Sequence, residues 1–437
     1  MKTSKIVVVL IIILFLLIGW SLYLSLTRPT ITAEEEGNAE PNKPVTVDRV
    51  INAQERTRME DYVKKLQSEK SIIKSFSGPS GETIDCVDVY SQPALKRKGM
   101  EGHEVQFAPA NLPEQLETEG IEAQEKIAMP NQLYLITGET CPEKTVPIRR
   151  LTMETLQRFK TLDDFFKKQS NDIEKPFGGG GGSSSTSTHE YAHASRSVNN
   201  WGAESILNVW KPFVDETDEF SLSQIWVVRG SGSNRETVEA GWQKYYDLYG
   251  DWRSRLFIYF TPDNYGSGGC YNLSCGAFVQ VDNTVYIGGG FINYSSAGGS
   301  QYEFKLMLLK DHNNGHWWVK YGNTWVGYWP RNLFDGNGLQ DRGDVIDFGG
   351  EIVNTSPGGA HTATDMGSGY WPYQGYGNAA YQRALRYIDT SYTYRKATGL
   401  NDSRTDRDCY DIDMHSSSGS WGEYFYFGGS GHNSSCP

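Results

Sequence analysis

Thr237-Val238-Glu239-Ala240-Gly241-Trp242-Gln243 and Phe348-Gly349-Gly350-Glu351-Ile352-Val353-Asn354 each set one carboxylate among apolar, aromatic and glycine residues. Both read as strands, because such residues suit a pleated, half-buried surface. The same reading extends to Phe220–Val228, Leu256–Thr261, Gly276–Val281, Thr284–Ile287, Tyr302–Leu309, His316–Lys320, Trp325–Trp329 and Glu423–Phe427, with turn signals between them. Ala379–Tyr387 is the one stretch in this half of the chain with helical character. Short strands in series predict a mainly β fold, an antiparallel double-sheet β-sandwich. The 47 glycines, 26 tyrosines and 12 tryptophans among 437 residues agree with such a body closed by tight turns.

A strand of apolar side chains gains little from a carboxylate unless that group has a partner. Two carboxylates brought together cannot both ionise cheaply, so one titrates high and the other low. Such a pair supplies a general base and a general acid at mildly acid pH, with no metal or cofactor required. The plainer alternative makes each Glu a surface strand residue or one half of an ion pair. A net charge of −12 argues against nucleic acid or an anionic membrane surface as the main partner.

Upstream the composition changes repeatedly. Ile6 to Leu26 is apolar behind Lys2 and Lys5, which reads as an export signal. It is either cleaved or kept as a signal anchor, since it is long enough to span a bilayer. Residues 1–28 are assigned to this segment and 29–44 to a polar, disordered linker. Ala53–Glu69 reads as a helix, with Met59, Tyr62, Val63 and Leu66 on one face. Ile72–Phe76 and Thr83–Tyr90 flank Gly78-Pro79-Ser80-Gly81, a hairpin signature, and Leu151–Lys168 reads as a second helix. The Gly/Ser/Thr run that starts at Gly178 is a flexible linker of the kind proteases cut.

The ordered motifs Glu239-Ala-Gly-Trp-Gln243, Asp247-Leu-Tyr-Gly-Asp251, Gly269-Cys-Tyr-Asn-Leu-Ser-Cys275, Gly327-Tyr-Trp-Pro330, Gly349-Gly-Glu351 and Met366-Gly-Ser-Gly369 resemble the mature domain of the neprosin family of glutamic endopeptidases. Ile84-Asp-Cys-Val-Asp-Val-Tyr90 and Cys141-Pro-Glu-Lys-Thr-Val-Pro-Ile-Arg-Arg150 resemble that family's activation peptide. The resemblance implies a small α+β propeptide over residues 45–176, a linker over 177–188 and a catalytic β-sandwich over 189–437. It places the two catalytic glutamates at Glu239 and Glu351, on the concave face of the sandwich. It further implies cleavage after proline at acid pH, proline-rich polypeptides as substrates, and the propeptide as an intramolecular inhibitor.

Several assignments follow from that frame. Gln243 would be a helper donor beside Glu239, and Trp242, Tyr328 and Trp329 would line the substrate groove. The six cysteines would pair within domains, as Cys86–Cys141, Cys270–Cys275 and Cys409–Cys436, since a bridge across the boundary would tether the propeptide. Asn272, Asn293, Asn354, Asn401 and Asn433 begin glycosylation sequons, in keeping with export to a secreted, extracellular or vacuolar location, or with membrane anchoring through Ile6 to Leu26. Pro176–Phe177, beside the glycine run, is the proline bond best placed for the activating cut. Two alternatives stand beside this reading: a non-catalytic, lectin-like carbohydrate-binding sandwich, and a two-carboxylate glycoside hydrolase.

His189-Glu190-Tyr191-Ala192-His193 matches the zinc-peptidase pattern HExxH. That chemistry needs a helix to set both histidines on one metal. Here the motif follows directly on the Ser/Thr linker, with nothing to continue a helix. As a strand it would turn His189, Tyr191 and His193 to one face. No G-x-S-x-G nucleophile elbow occurs.

Overall fold

In the computed structural model, residues 49–114, 127–168, 188–356 and 361–437 are described. All belong to one of the chain's two compact units, Thr46–Pro437. The apolar segment Ile6–Leu26, the acidic linker, the glycine run and Pro176–Phe177 lie outside the described residues. Among the described residues no helix is long and apolar enough to cross a membrane.

The described residues up to Lys168, expected as the activation segment, begin with helix α1 (Ala53–Ser68), whose N-terminus Asn52 caps by accepting from the Glu55 amide. Strands β1 (Ile72–Ser77), β2 (Thr83–Asp88) and β3 (Thr145–Arg149) then form a three-stranded antiparallel sheet, with Phe76 opposite Ile84 in the expected hairpin. The single helix expected over Leu151–Lys168 is instead two short ones, α2 (Met153–Leu156) and α3 (Leu162–Phe166). The break has a local cause: Thr161 and Asp164 form a capping box that starts a new helix. The chain leaves α3 extended at Lys167, and Lys168 lies just beyond it.

Two sheets follow. The first takes the order β17 (Asn401–Arg404), β4 (Thr188–Asn200), β14 (Gly343–Asn354), β6 (Phe220–Arg229), β7 (Glu236–Tyr245), β8 (Ser254–Thr261) and β9 (Cys270–Tyr271). The second runs β10 (Val279–Gln280), β13 (Thr324–Trp329), β12 (Trp317–Tyr321), β11 (Glu303–Lys310), β5 (Gly202–Asn208), β15 (Ala380–Ile388), β19 (Glu423–Gly428) and β18 (Asp411–Ser416), with β16 (Tyr394–Lys396) on β15. Their pairings are antiparallel throughout, as expected. Alternate residues of each sheet meet in a shared core: Ile225, Val227, Val238, Ala240, Trp242 and Phe348 from the first, and Leu207, Phe304, Leu306, Trp317 and Trp329 from the second.

Ala379–Tyr387 corrects the helical expectation. Its Ala, Gln, Leu and Arg residues favour a helix in isolation, yet the segment is β15, paired on both sides by β5 and β19. Ladder pairing and burial override a weak local preference. Thr284–Ile287 is not a strand, and only Val279–Gln280 of the expected Gly276–Val281 strand forms. Side chains of the activation segment replace the missing ladder. Gln132 accepts from the Tyr286 amide and donates to its carbonyl, each at 2.7 Å. Gln92 does the same to Gln280, at 2.9 and 2.7 Å. Each buried carboxamide thus acts as one rung of an antiparallel pair.

The activation segment covers the outer faces of both sheets. Met59, Leu156, Phe159, Leu162 and Phe165 pack on Phe220, Leu222, Trp226, Tyr245 and Tyr259 of the first sheet. Ala94 and Met100 pack on Val279, Met307, Trp318 and Tyr328 of the second. The three disulfides form as expected, Cys86–Cys141, Cys270–Cys275 and Cys409–Cys436.

Candidate active site

The register of the first sheet decides which side chains share its outer face. Trp226 opposes Glu239 on β7 and Asp347 on β14, while Glu239 opposes Tyr259 on β8. Glu351 opposes Leu222 on β6 and Tyr191 on β4. Alternation then sets His189, Tyr191, His193, Gln224, Trp226, Glu239, Tyr259, Asp347 and Glu351 on the face away from the sandwich core. Between the two glutamate rows Gln224 lies opposite Gly241 and Gly349. A Cβ at Gly241 would sit 1.9 Å from the Ser223 carbonyl oxygen, so the strand spacing there admits only glycine.

Glu239 and Glu351 are both buried, and their carboxylates converge on Lys168 of the activation segment. Lys168 Nζ lies 2.7 Å from Glu239 Oε2 and 2.7 Å from Glu351 Oε2, so the two oxygens are separated by no more than twice that distance. The ammonium also faces the Trp226 ring at 5.5 Å, and the Lys168 amide donates to the Tyr259 hydroxyl at 3.3 Å. The remaining partners differ between the two acids. Thr237 Oγ1 and Tyr265 OH each donate to Glu239 Oε1 at 2.7 Å. His189 Nδ1 lies 2.7 Å from Glu351 Oε1, and Gln224 Nε2 donates to Glu351 Oε2 at 3.0 Å.

Electrostatics follow from burial and from this lysine. Burial alone would lower the Lys168 ammonium, but Glu239 and Glu351 outweigh it and hold it above its ordinary value. Burial pushes the Glu351 carboxyl upward, but Lys168 and His189 together hold it below the usual range. Burial, together with the charge of Glu239, holds the Tyr265 phenol well above its ordinary value, so it stays a neutral hydroxyl. Further along the face His193 Nδ1 pairs with Asp347 at 2.8 Å. Burial works against the charged form of both partners of that pair; the His193 value still rises because of Asp347, and the Asp347 value rises despite His193.

Other residues singled out in the sequence fall elsewhere. Gln243 sits on the outer face, but its amide donates to Tyr271 OH at 3.3 Å; the carboxamide that reaches a glutamate is Gln224. Trp242 faces the opposite way, into the sandwich core, with its indole donating to the Asn208 carbonyl. Trp329 is in the same core, and Tyr328 lies on the outer face of the second sheet with its hydroxyl 2.6 Å from His103 of the activation segment. The rings beside the glutamates are instead Tyr191, Trp226, Tyr259 and Tyr265. The HExxH residues lie on β4, with His189 on Glu351 and His193 on Asp347, as strand alternation requires. Among the sequons Asn401 is exposed, whereas Asn272 and Asn433 spend their amide nitrogens on Tyr249 OH and on backbone carbonyls.

Lys168, Gln224, Thr237 and Tyr265 were not legible as site residues. Thr237 sits two residues from Glu239 on the same strand, so alternation could have placed it. Nothing local marks Lys168 or Tyr265, which arrive from a loop and a turn.

The family model described as Neprosin matches residues 217–430, and that described as Neprosin activation peptide matches residues 75–195. Among solved structures, scytalido-glutamic peptidase with a transition state analog inhibitor is similar at 9% identity and a TM-score of 0.31, over 55% of this chain and 97% of its own. SCP-B, a member of the eqolisin family of peptidases in complex with the tripeptide Ala-Ile-His, is similar at 7% identity and a TM-score of 0.27, over 55% and 96%. CG-16, a homodimeric agglutinin from chicken liver, is similar at 8% identity and a TM-score of 0.20, over 37% and 93%.

Proposed function

The chain belongs to the neprosin family and carries that family's activation peptide ahead of the sandwich, as a peptidase zymogen does; on that premise we propose that Glu239 and Glu351 are the catalytic pair of a glutamic endopeptidase held latent by Lys168. One observation carries this reading. Two carboxylates from separate strands are buried together on the outer face of the first sheet, and the group that balances their charge belongs to the activation segment. A lectin-like or glycosidase reading gives that lysine no purpose.

Once Lys168 departs, the two carboxylates share a site that cannot hold both charges cheaply, so one proton remains between them. The ionised member draws a proton from water as its oxygen attacks the scissile carbonyl. The protonated member delivers its proton to the departing amine. Such a pair works best in acid, and the proposed optimum lies at about pH 3–5. Cleavage after proline, with proline-rich polypeptides as substrates, is supported by the rings of Tyr191, Trp226, Tyr259 and Tyr265 around the pair, since flat rings stack on pyrrolidine. The activating cut is proposed at Pro176–Phe177, outside the described residues. It must precede Thr188, because β4 is paired on both sides and cannot leave with the segment. Secretion and glycosylation, with Asn401 the best exposed sequon, belong to the same proposal.

The test is the matured enzyme on a proline-containing peptide. Glu239→Gln and Glu351→Gln should each lower kcat by about a thousandfold or more while keeping the thermal transition of the parent. Near-native turnover by either variant would remove the pair from the catalytic centre.

A further inference from the structure

The two glutamates keep different company. Glu351 is met by nitrogen donors, His189 Nδ1 and Gln224 Nε2, whereas Glu239 Oε1 is met by two hydroxyls, Thr237 and Tyr265. An amide N–H can only donate, so it favours an ionised carboxylate. A hydroxyl donates or accepts, so it serves a protonated carboxyl equally well. An imidazole nitrogen that faces a carboxylate carries its hydrogen on that side. Lys168, the cation shared by both acids, belongs to the segment that is removed.

We infer that His189 is a positioning residue of the mature enzyme: its Nδ1–H holds Glu351 ionised and oriented as the base, which leaves Glu239 as the proton donor. This assignment rests on the peptidase reading above. In the reaction Glu351 takes a proton from the attacking water, the carbon–oxygen bond forms, and Glu239 gives its proton to the amide nitrogen as the carbon–nitrogen bond breaks. The pair ends with its proton transferred from one acid to the other, and the products are one carboxyl and one amine.

The ring is built to hold this geometry. His189 is 5% exposed, stacks on Tyr191 at 6.3 Å between centroids, and meets Phe220 edge-on at 5.9 Å. In the β4–β14 ladder His189 opposes Val353 and Tyr191 opposes Glu351, so His189 and Glu351 are diagonal neighbours on one face. The titratable or charged groups around that face include Tyr191 and His193 from β4, Glu351 and Asp347 from β14, Glu239 and Tyr245 from β7, Tyr259 from β8, Tyr271 from β9, Tyr265 from the turn beyond β8, Arg235 ahead of β7, and Lys168 from the activation segment. His189 is also only the second residue of β4. The activating cut must therefore spare the residue that sets the base.

The experiment is the pH profile of kcat/KM for His189→Gln and His189→Ala, each matured by cutting within the linker. Gln keeps an N–H donor of similar reach but lacks the ring that Tyr191 and Phe220 hold in place. For His189→Gln the acid limb should move up by about one pH unit, with a smaller move of the alkaline limb. For His189→Ala kcat should also fall by more than about tenfold at little change in KM, because Glu351 loses its orientation. Wild-type acid limbs in both variants would overturn the inference. Should His189→Ala fail to fold, the volume-preserving Gln variant still decides. The Glu239→Gln and Glu351→Gln controls separate the two levels: if they retain turnover the peptidase pair fails, and if they are inactive while the His189 variants keep the parental profile, only the role of His189 fails.

Discussion

Among the places where the activation segment stands on the sandwich, two are opposite in chemistry. On the first sheet it inserts a charge, Lys168, between two buried carboxylates. On the second sheet and its neighbouring loop it uses neutral carboxamides, Gln92 on Gln280 and Gln132 on Tyr286, each bonded to backbone. Both footholds are buried. Only the first contains a group that acid can neutralise. Of these two footholds, one senses pH and the other does not.

The direction of the pH effect follows from Glu351. Its carboxyl is held below the ordinary range, burial opposing and Lys168 with His189 prevailing. The stabilisation it lends is complete above the ordinary carboxylate range and is lost as pH falls through its lowered value. The raised Lys168 ammonium contributes stability that is lost only when pH rises through its own value, so it adds no acid lability. A second charged contact, Arg49 to Asp247 at 2.6 Å, has the other sign on its acid side. Burial holds the Asp247 carboxyl above its ordinary value despite Arg49, so its protonation favours the folded zymogen as pH falls. At the charged foothold, acid sensitivity therefore traces to Glu351.

The largest expected effect is that of Lys168→Met. It leaves two buried carboxylates facing each other, a loss of about 3–5 kcal/mol. In zymogen nicked within its linker, the segment should dissociate at neutral pH on size-exclusion chromatography, where the parent retains it. Retention equal to the parent would mean that the charged foothold is dispensable. Next in size is acidification itself. The nicked parent should hold its segment at pH 7 and release it below about pH 4.5, near the ordinary range of a Glu carboxyl. A dissociation rate that stays flat from pH 7 to pH 3.5 would contradict the assignment of pH sensing to Glu351.

Smaller again are Gln92→Ala and Gln132→Ala, each leaving a buried backbone amide and carbonyl without partners, at about 1–3 kcal/mol. Their effect on segment dissociation should be the same at pH 7 and pH 4. A penalty that vanishes in acid would merge the two footholds into one. The smallest effect is expected at Arg58, which pairs with Asp163 within the segment, both about half exposed. Arg58→Ala should change zymogen stability by less than about 1 kcal/mol, measured by chemical denaturation.

The legibility of the molecule divides along similar lines. The strand alternation of His189, Tyr191 and His193 was readable, and with it the rejection of a metal-binding helix, because a two-residue period is local. The aromatic residues were readable as strand but not as lining: Trp242, Tyr328 and Trp329 look like Trp226 and Tyr259 in composition, and only register tells the core face from the open one. Ala379–Tyr387 misled because local helix preference is worth tenths of a kcal/mol per residue, less than the ladder partners that β5 and β19 supply. The Leu151–Lys168 stretch misled for the opposite reason, since its break was written locally in Thr161 and Asp164 but was read through.

By itself the sequence determined the class of fold and the family, because periodicity and intact motifs are properties of short stretches. Only the tertiary structure decided what surrounds Glu239 and Glu351. Lys168, His189, Gln224 and Tyr265 come from four separate stretches of chain, and their meeting depends on strand register and on the path of two loops. A burial that brings distant charges within 3 Å is a sum over the whole fold, and no local stretch contains it.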